Sequence, residues 1–168
     1  MKESFEKKAQ YKINTLKGDD WEKLRDIRLR AVTESPQAFG DTVEKTKAQT
    51  EEVWRKWIAN SHIYIIDDNN KSVSAATFRQ DIDGVWEINA VWTDPSYRNK
   101  GLSRKIFEQI FFDAKMMSID VIRLDVNSIQ SAAVTLYESL GFKKIDSVPK
   151  QKMGDGNLHT REVMEIHL

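Results

Sequence analysis

Val91-Trp92-Thr93-Asp94-Pro95-Ser96-Tyr97-Arg98-Asn99-Lys100-Gly101-Leu102-Ser103-Arg104-Lys105 joins an apolar run to an amphipathic one through a short turn. The run that enters it, Val85–Thr93, reads as a strand stopped by Asp94-Pro95. From Asn99 to about Met117 the pattern is helical. Leu102, Ile106 and Ile110 fall at one spacing, with Phe107, Phe111 and Ala114 beside them. A helix start leaves backbone N–H groups free, and with the helix dipole behind them they form an anion site. Gly101 lets a ligand approach the backbone without a β-carbon in the way. Arg98, Lys100, Arg104 and Lys105 crowd this positive helix end, where each cation is disfavoured by ~0.3–1 kcal/mol. An anion would relieve that repulsion. By spacing alone, four solvated side chains around an ordinary turn fit equally well.

Outward from this segment the chain divides cleanly. Upstream, His62–Asp67, Ser72–Gln80 and Val85–Thr93 are separated by Asp68-Asn69-Asn70 and Asp83-Gly84, an antiparallel meander. Before them, Tyr11–Leu16 reads as a strand. Asp19 or Asp20 caps a helix striped by Trp21, Leu24, Ile27, Ala31 and Val32, which Ser35-Pro36 ends. A second helix starts near Thr50 and puts Val53, Trp54, Trp57 and Ile58 on one face, as core or as a pocket wall. Downstream come a strand Val121–Val126, a helix Ser131–Leu140 closed by Gly141, and strands Phe142–Val148 and Arg161–Leu168. The order βααβββαβαββ implies an α+β fold: a mixed, largely antiparallel sheet of about seven strands flanked on both faces by about four helices. Residues 1–10 are expected to be a flexible tail, and 11–168 a single domain.

Composition removes several classes of function. The 168 residues are 40% hydrophobic and 31% charged, with 26 basic and 26 acidic side chains. That balance offers no field for nucleic acid, and no run is long and apolar enough for a membrane helix. Cysteine is absent, and His62, His159 and His167 form no ligand spacing, so neither a thiol nucleophile nor a metal site is expected. The N-terminal stretch has no secretory h-region, which fits a cytoplasmic protein.

A second constellation is Leu124-Asp125-Val126-Asn127, then Gln130, then Ala133-Val134-Thr135-Leu136-Tyr137-Glu138-Ser139-Leu140-Gly141-Phe142. Helical spacing turns Tyr137 inward, where a core role and a site role are both open. The two segments together resemble the GNAT superfamily of acyl-CoA-dependent N-acetyltransferases. The first is similar to its R/Q-x-x-G-x-G/A motif after a strand, and the second to its A-x-x-L-Y-x-x-x-G-F segment. Ser103 stands where that motif prefers glycine or alanine, and Gln130 where asparagine is usual.

The resemblance spans roughly 11–168 and implies acetyl-CoA as acyl donor, with no metal. It implies that amides from Arg98 through Asn99, Lys100, Gly101 and Leu102 to Ser103 hold a pyrophosphate. Val91 and Thr93 would offer backbone groups to the pantetheine arm between diverging strands, Gln130 would contact the cofactor, and Tyr137 would be the general acid for the thiolate. Glu87, on the strand leading to the cofactor, is the candidate base, although a solvated carboxylate fits it too. The acceptor would be a small-molecule or peptide amine, with Asp41 and Glu44 in the Ser35–Thr50 segment near it and Val148–Thr160 as a lid or a plain hairpin connection. A homodimer is common in such proteins. The competing expectation is a non-catalytic acyl-CoA-binding sensor or interaction module with the same fold.

Overall fold

A computed structural model describes residues 11–168; the expected flexible tail, 1–10, lies outside the described residues. In chain order the elements are β1 (Ile13–Thr15), α1 (Trp21–Glu34), α2 (Val43–Ala48), α3 (Glu51–Ala59), β2 (His62–Asp68), β3 (Lys71–Gln80) and β4 (Trp86–Thr93). They continue with α4 (Leu102–Met116), β5 (Val121–Asn127), α5 (Ser131–Leu140), β6 (Lys143–Lys152) and β7 (Leu158–His167). Seven strands form one sheet in the order β1-β2-β3-β4-β5-β7-β6. Every neighbouring pair is antiparallel except β4 and β5. No helix among the described residues is long and apolar enough to cross a membrane.

Three local features depart from the sequence reading. The described residues hold five α-helices rather than about four, because α2 lies inside the Ser35–Thr50 connection. Its Val-Glu-Lys-Thr-Lys-Ala run is too short to show a period; what starts it is Thr42, whose side chain accepts from the Lys45 amide at 3.2 Å. The helix expected from Asn99 begins only at Leu102, since Asn99 (φ 60°) and Gly101 (φ 76°) are left-handed and cannot continue a right-handed helix. Most of the connection expected at Val148–Thr160 is strand, leaving only 153–157 as a turn. β6 is solvent-exposed along nearly its whole length, so no alternation marked it.

The sheet separates two cores. On one face α4 presses Ile106, Phe107 and Ile110 onto Phe78, Ile88 and Leu124. On the other, Leu24, Ile27 and Val32 of α1 meet Trp54 of α3 over Ile63 and Ile65. Trp54 is therefore core, 1% exposed, with Trp57 stacked on it at 5.8 Å. Phe107 is completely buried, and its truncation to alanine would cost about 3–5 kcal/mol. This rigid packing sets where the ends of β4 and β5 emerge.

Candidate active site

β4 and β5 share one register pair, Glu87↔Arg123, at the start of both strands. Beyond it they part. The cause lies in β4 itself: Asn89 pairs with Thr77 and Trp92 with Ala75, which leaves Ala90 and Val91 opposite a single β3 residue and without partners there. Ala90 adopts φ 51°, the left-handed conformation of a bulge residue. Pairing resumes and Asp94 donates its amide to Val73 at 2.8 Å. Antiparallel alternation then turns the amide and carbonyl of Thr93 away from β3, toward the gap. The gap widens into a cleft of about 760 Å³.

The floor of the cleft is a run of unclaimed donors. The first helical bond of α4 is Lys105 N–H to the Gly101 carbonyl, at 3.0 Å. Amides of Asn99 through Arg104 have no acceptor among the described residues, and neither a side-chain cap nor a first-turn acid serves this helix end. Arg98 is already engaged, its amide bonding the Pro95 carbonyl at 3.4 Å. The donor run is thus Asn99–Arg104, one residue further along than the sequence implied. A β-carbon at Gly101 would meet nothing within 4 Å, so the backbone lies open on this side. A concave row of amides backed by a helix dipole fits a diphosphate.

The basic side chains that crowd this turn have other partners. Arg98 spans the Thr93 carbonyl (3.0 Å) and the Glu34 carboxylate (2.6 Å). Lys100 lies 4.9 Å over the Tyr97 ring, and Lys105 reaches the Tyr11 carbonyl. Arg104 bonds Ser139. The donors left unclaimed at this turn are therefore backbone amides, with these cations bracing the turn.

Nine of the residues singled out from sequence line this one cleft: Val91, Thr93, Arg98, Asn99, Gly101, Leu102, Ser103, Gln130 and Tyr137. Tyr137 is the one buried residue of α5, wedged between Phe107 (centroids 5.4 Å) and Phe142 (6.2 Å). Burial alone pushes its phenol well above the ordinary range, so it holds its proton.

Two residues do not join the cleft lining, Lys100 and Glu87. Glu87 sits at the closed end of the β4–β5 gap, held by Arg79 at 2.9 Å and by the Asn89 amide at 2.9 Å. On β5, Leu124 and Val126 are buried toward α4, so the alternate residue Asp125 faces the opposite side, where it pairs with Arg161 at 2.8 Å.

Glu34 was not anticipated. It lines the cleft from the end of α1 and accepts from Trp92 Nε1 (3.0 Å), Arg98 and Ser35. Burial works to raise its pKa, but these three hydrogen bonds and the Arg98 charge outweigh it and hold the carboxyl below its ordinary range. Nothing local marks such a residue.

The opposite wall is the segment after α1. Asn127 donates to the Gln37 carbonyl at 2.8 Å, and the Gly154 amide to that of Phe39 at 2.7 Å. Asp41 is paired with the buried Arg28 at 2.9 Å, and Glu44 lies in the first turn of α2. The 153–157 turn is thereby docked onto the Pro36–Asp41 segment, with Met153 3% exposed. No group of three or more metal-ligating side chains occurs among the described residues.

The model of the Acetyltransferase (GNAT) family matches residues 21–142. A curated relative, the ribosomal protein bS18-alanine N-acetyltransferase of Escherichia coli K12, is 29% identical over 79 residues, 47% of this chain and 53% of that protein. The chain thus spans about half the length of the curated relatives it first matches. A GNAT-family acetyltransferase of Streptococcus pneumoniae superposes with TM-score 0.79 at 18% identity, covering 94% of this chain and 99% of that one. A protein of Salmonella typhimurium, solved with its cofactor acetyl-CoA, superposes with TM-score 0.77 at 19% identity over 94% of both chains. With the splayed strands, the open amide turn and a family match over most of its length, the chain belongs to the GNAT acetyltransferase family.

Proposed function

We propose that this protein is an acetyl-CoA-dependent N-acetyltransferase acting on a primary amine in the cytoplasm. The observation that carries the reading is the row of partnerless amides, Asn99–Arg104, at the foot of a cleft that also holds Tyr137. Bound acetyl-CoA would supply an activated acetyl group as a thioester, for direct transfer to the amine.

The chain's own residues then have separable tasks. Amides from Asn99 to Arg104 hold the diphosphate, and Gln130 closes over it from the start of α5. Val91, without a register partner on β3, and Thr93, whose backbone groups turn away from β3, offer these groups to the arm that lies in the gap, as an added strand would use them. The Val91 amide is the donor for negative charge developing on the thioester oxygen. Tyr137 gives its Oη proton to the departing thiolate, a task suited to a phenol that burial keeps protonated. An alkylammonium acceptor has a pKa of ~10 and must lose a proton first. Glu87 takes that proton through water, since its carboxylate lies outside the cleft lining.

The test is to follow thiol release from acetyl-CoA with a panel of amines: polyamine, amino acid, aminoglycoside and peptides bearing an N-terminal alanine. The alanine peptides are included because the bS18 relative is named for that residue. Amine-dependent thiol release is expected with at least one class. Tight acetyl-CoA binding without turnover on any would favour a non-catalytic acyl-CoA sensor instead.

A further inference from the structure

Three hydroxyls from three different elements touch in a line. Ser74 Oγ on β3 lies 2.8 Å from Thr93 Oγ1 on β4, which lies 2.9 Å from Ser103 Oγ at the start of α4. Ser74 is completely buried, whereas Thr93 and Ser103 line the cleft.

A hydroxyl carries one proton to donate and two lone pairs to accept. Two hydrogen bonds among three hydroxyls use two protons, so the third is left at Ser74, at Ser103, or at Thr93 where that oxygen accepts from both sides. At Ser74 it would point into the core, where Thr93 is the one partner of that oxygen among the described residues. At Ser103 it opens on the cleft beside the free amides. Leaving a donor unmet in the core is the costlier arrangement, so Ser74 donates to Thr93. Were Thr93 to accept from both sides, Ser103 would show the cleft only lone pairs, so an anion bound there selects the line Ser74 to Thr93 to Ser103. Each proton stays on its own oxygen; only the direction of donation is set.

We propose that this relay makes the Ser103 hydroxyl a donor to the diphosphate of acyl-CoA, with Thr93 and Ser74 as positioning residues. The inference rests on the acyl-CoA reading above. An ionised diphosphate offers acceptors only, which suits a site where amides and a fixed hydroxyl all donate. Ser103 stands where related motifs carry glycine or alanine. In this chain the added oxygen extends the donor row from backbone to side chain.

Calorimetric titration of Ser103→Ala, Thr93→Val and the double variant, with CoA and with dephospho-CoA, tests the relay, and thermal melts check that each variant folds. Ser103→Ala is expected to weaken both ligands alike, by about 3- to 10-fold, the range of one hydrogen bond to a charged group partly replaced by water. Thr93→Val, which leaves the Ser103 oxygen but frees its direction, should weaken both by a smaller factor. The double variant should be no weaker than Ser103→Ala, because the two act through one contact. Unchanged affinity in Ser103→Ala, a loss confined to CoA with its 3′-phosphate, or additive losses in the double variant would each overturn the relay. If the unaltered protein binds neither ligand, the acyl-CoA reading falls with it. If it binds both and Ser103→Ala matches it, the relay alone falls.

Discussion

The Glu34 carboxylate and the Arg98 guanidinium, 64 residues apart in the chain, meet at 2.6 Å and tie the end of α1 to the turn that precedes α4. Arg98 also holds the Thr93 carbonyl, so this contact links one helix, the end of β4 and the turn itself. Glu34→Gln keeps the shape and removes the charge. With the pair partly exposed, the loss should be near 1 kcal/mol, or about fivefold weaker acetyl-CoA binding by calorimetry. Unchanged affinity would mean that the turn holds its form without α1.

Tyr137→Phe keeps the ring between Phe107 and Phe142 and removes only the hydroxyl. Acetyl-CoA affinity and melting temperature should hold, while kcat falls about 10²-fold or more, as for a lost general acid. Turnover equal to the parent would remove the role. Because burial raises the phenol pKa, no alkaline decline in kcat should appear below about pH 10 in the parent.

Glu87→Gln separates a base from a strut. As a base, its loss should lower kcat about 10²-fold or more and leave the melting temperature unchanged. As a strut clasping Arg79 at the closed end of the gap, its loss should lower the melting temperature and leave kcat near that of the parent. A lowered kcat at an unchanged melting temperature is the expected result.

Gly154→Ala tests the wall opposite the amide turn. The new β-carbon would strike the Asp41 carbonyl and crowd those of Pro36 (3.0 Å) and Phe39 (3.1 Å), all backbone atoms with little room to yield. Overpacking of this kind costs about 1–3 kcal/mol. A melting temperature lower by several degrees, with a raised KM for the amine and an unchanged acetyl-CoA affinity, is the expected pattern.

Acid should loosen the turn through Asp94. Burial opposes its ionisation, yet Lys71 (3.0 Å), the Ser96 amide and Arg30 outweigh it and leave the carboxyl below its ordinary range. A carboxyl with a lowered folded value adds stability that is whole above about pH 4, the unfolded value, and drains as pH falls through the lowered one. In Asp94→Asn, urea titrations across that window should show a shallower loss of stability with falling pH than the parent shows. Parallel curves would mean that Asp94 does not sense acid.

What lies within a few residues along the chain was legible without the structure. Asp94-Pro95 stops β4, Gly101 permits the turn, Leu102, Ile106 and Ile110 mark the buried stripe of α4, and Gly141 closes α5 at φ 104°. These are matters of allowed dihedrals and side-chain period, which each segment carries by itself. The inward face of Tyr137 followed from the same spacing. Tertiary structure alone decided what depends on where distant segments arrive. Glu34 lines the cleft only because α1 ends beside the turn. The parting of β4 from β5, the line from Ser74 to Ser103 and the docking of Gly154 on three carbonyls likewise join residues that share no local pattern. A partner's position is set by the packing of whole elements, and no run of neighbouring residues encodes it.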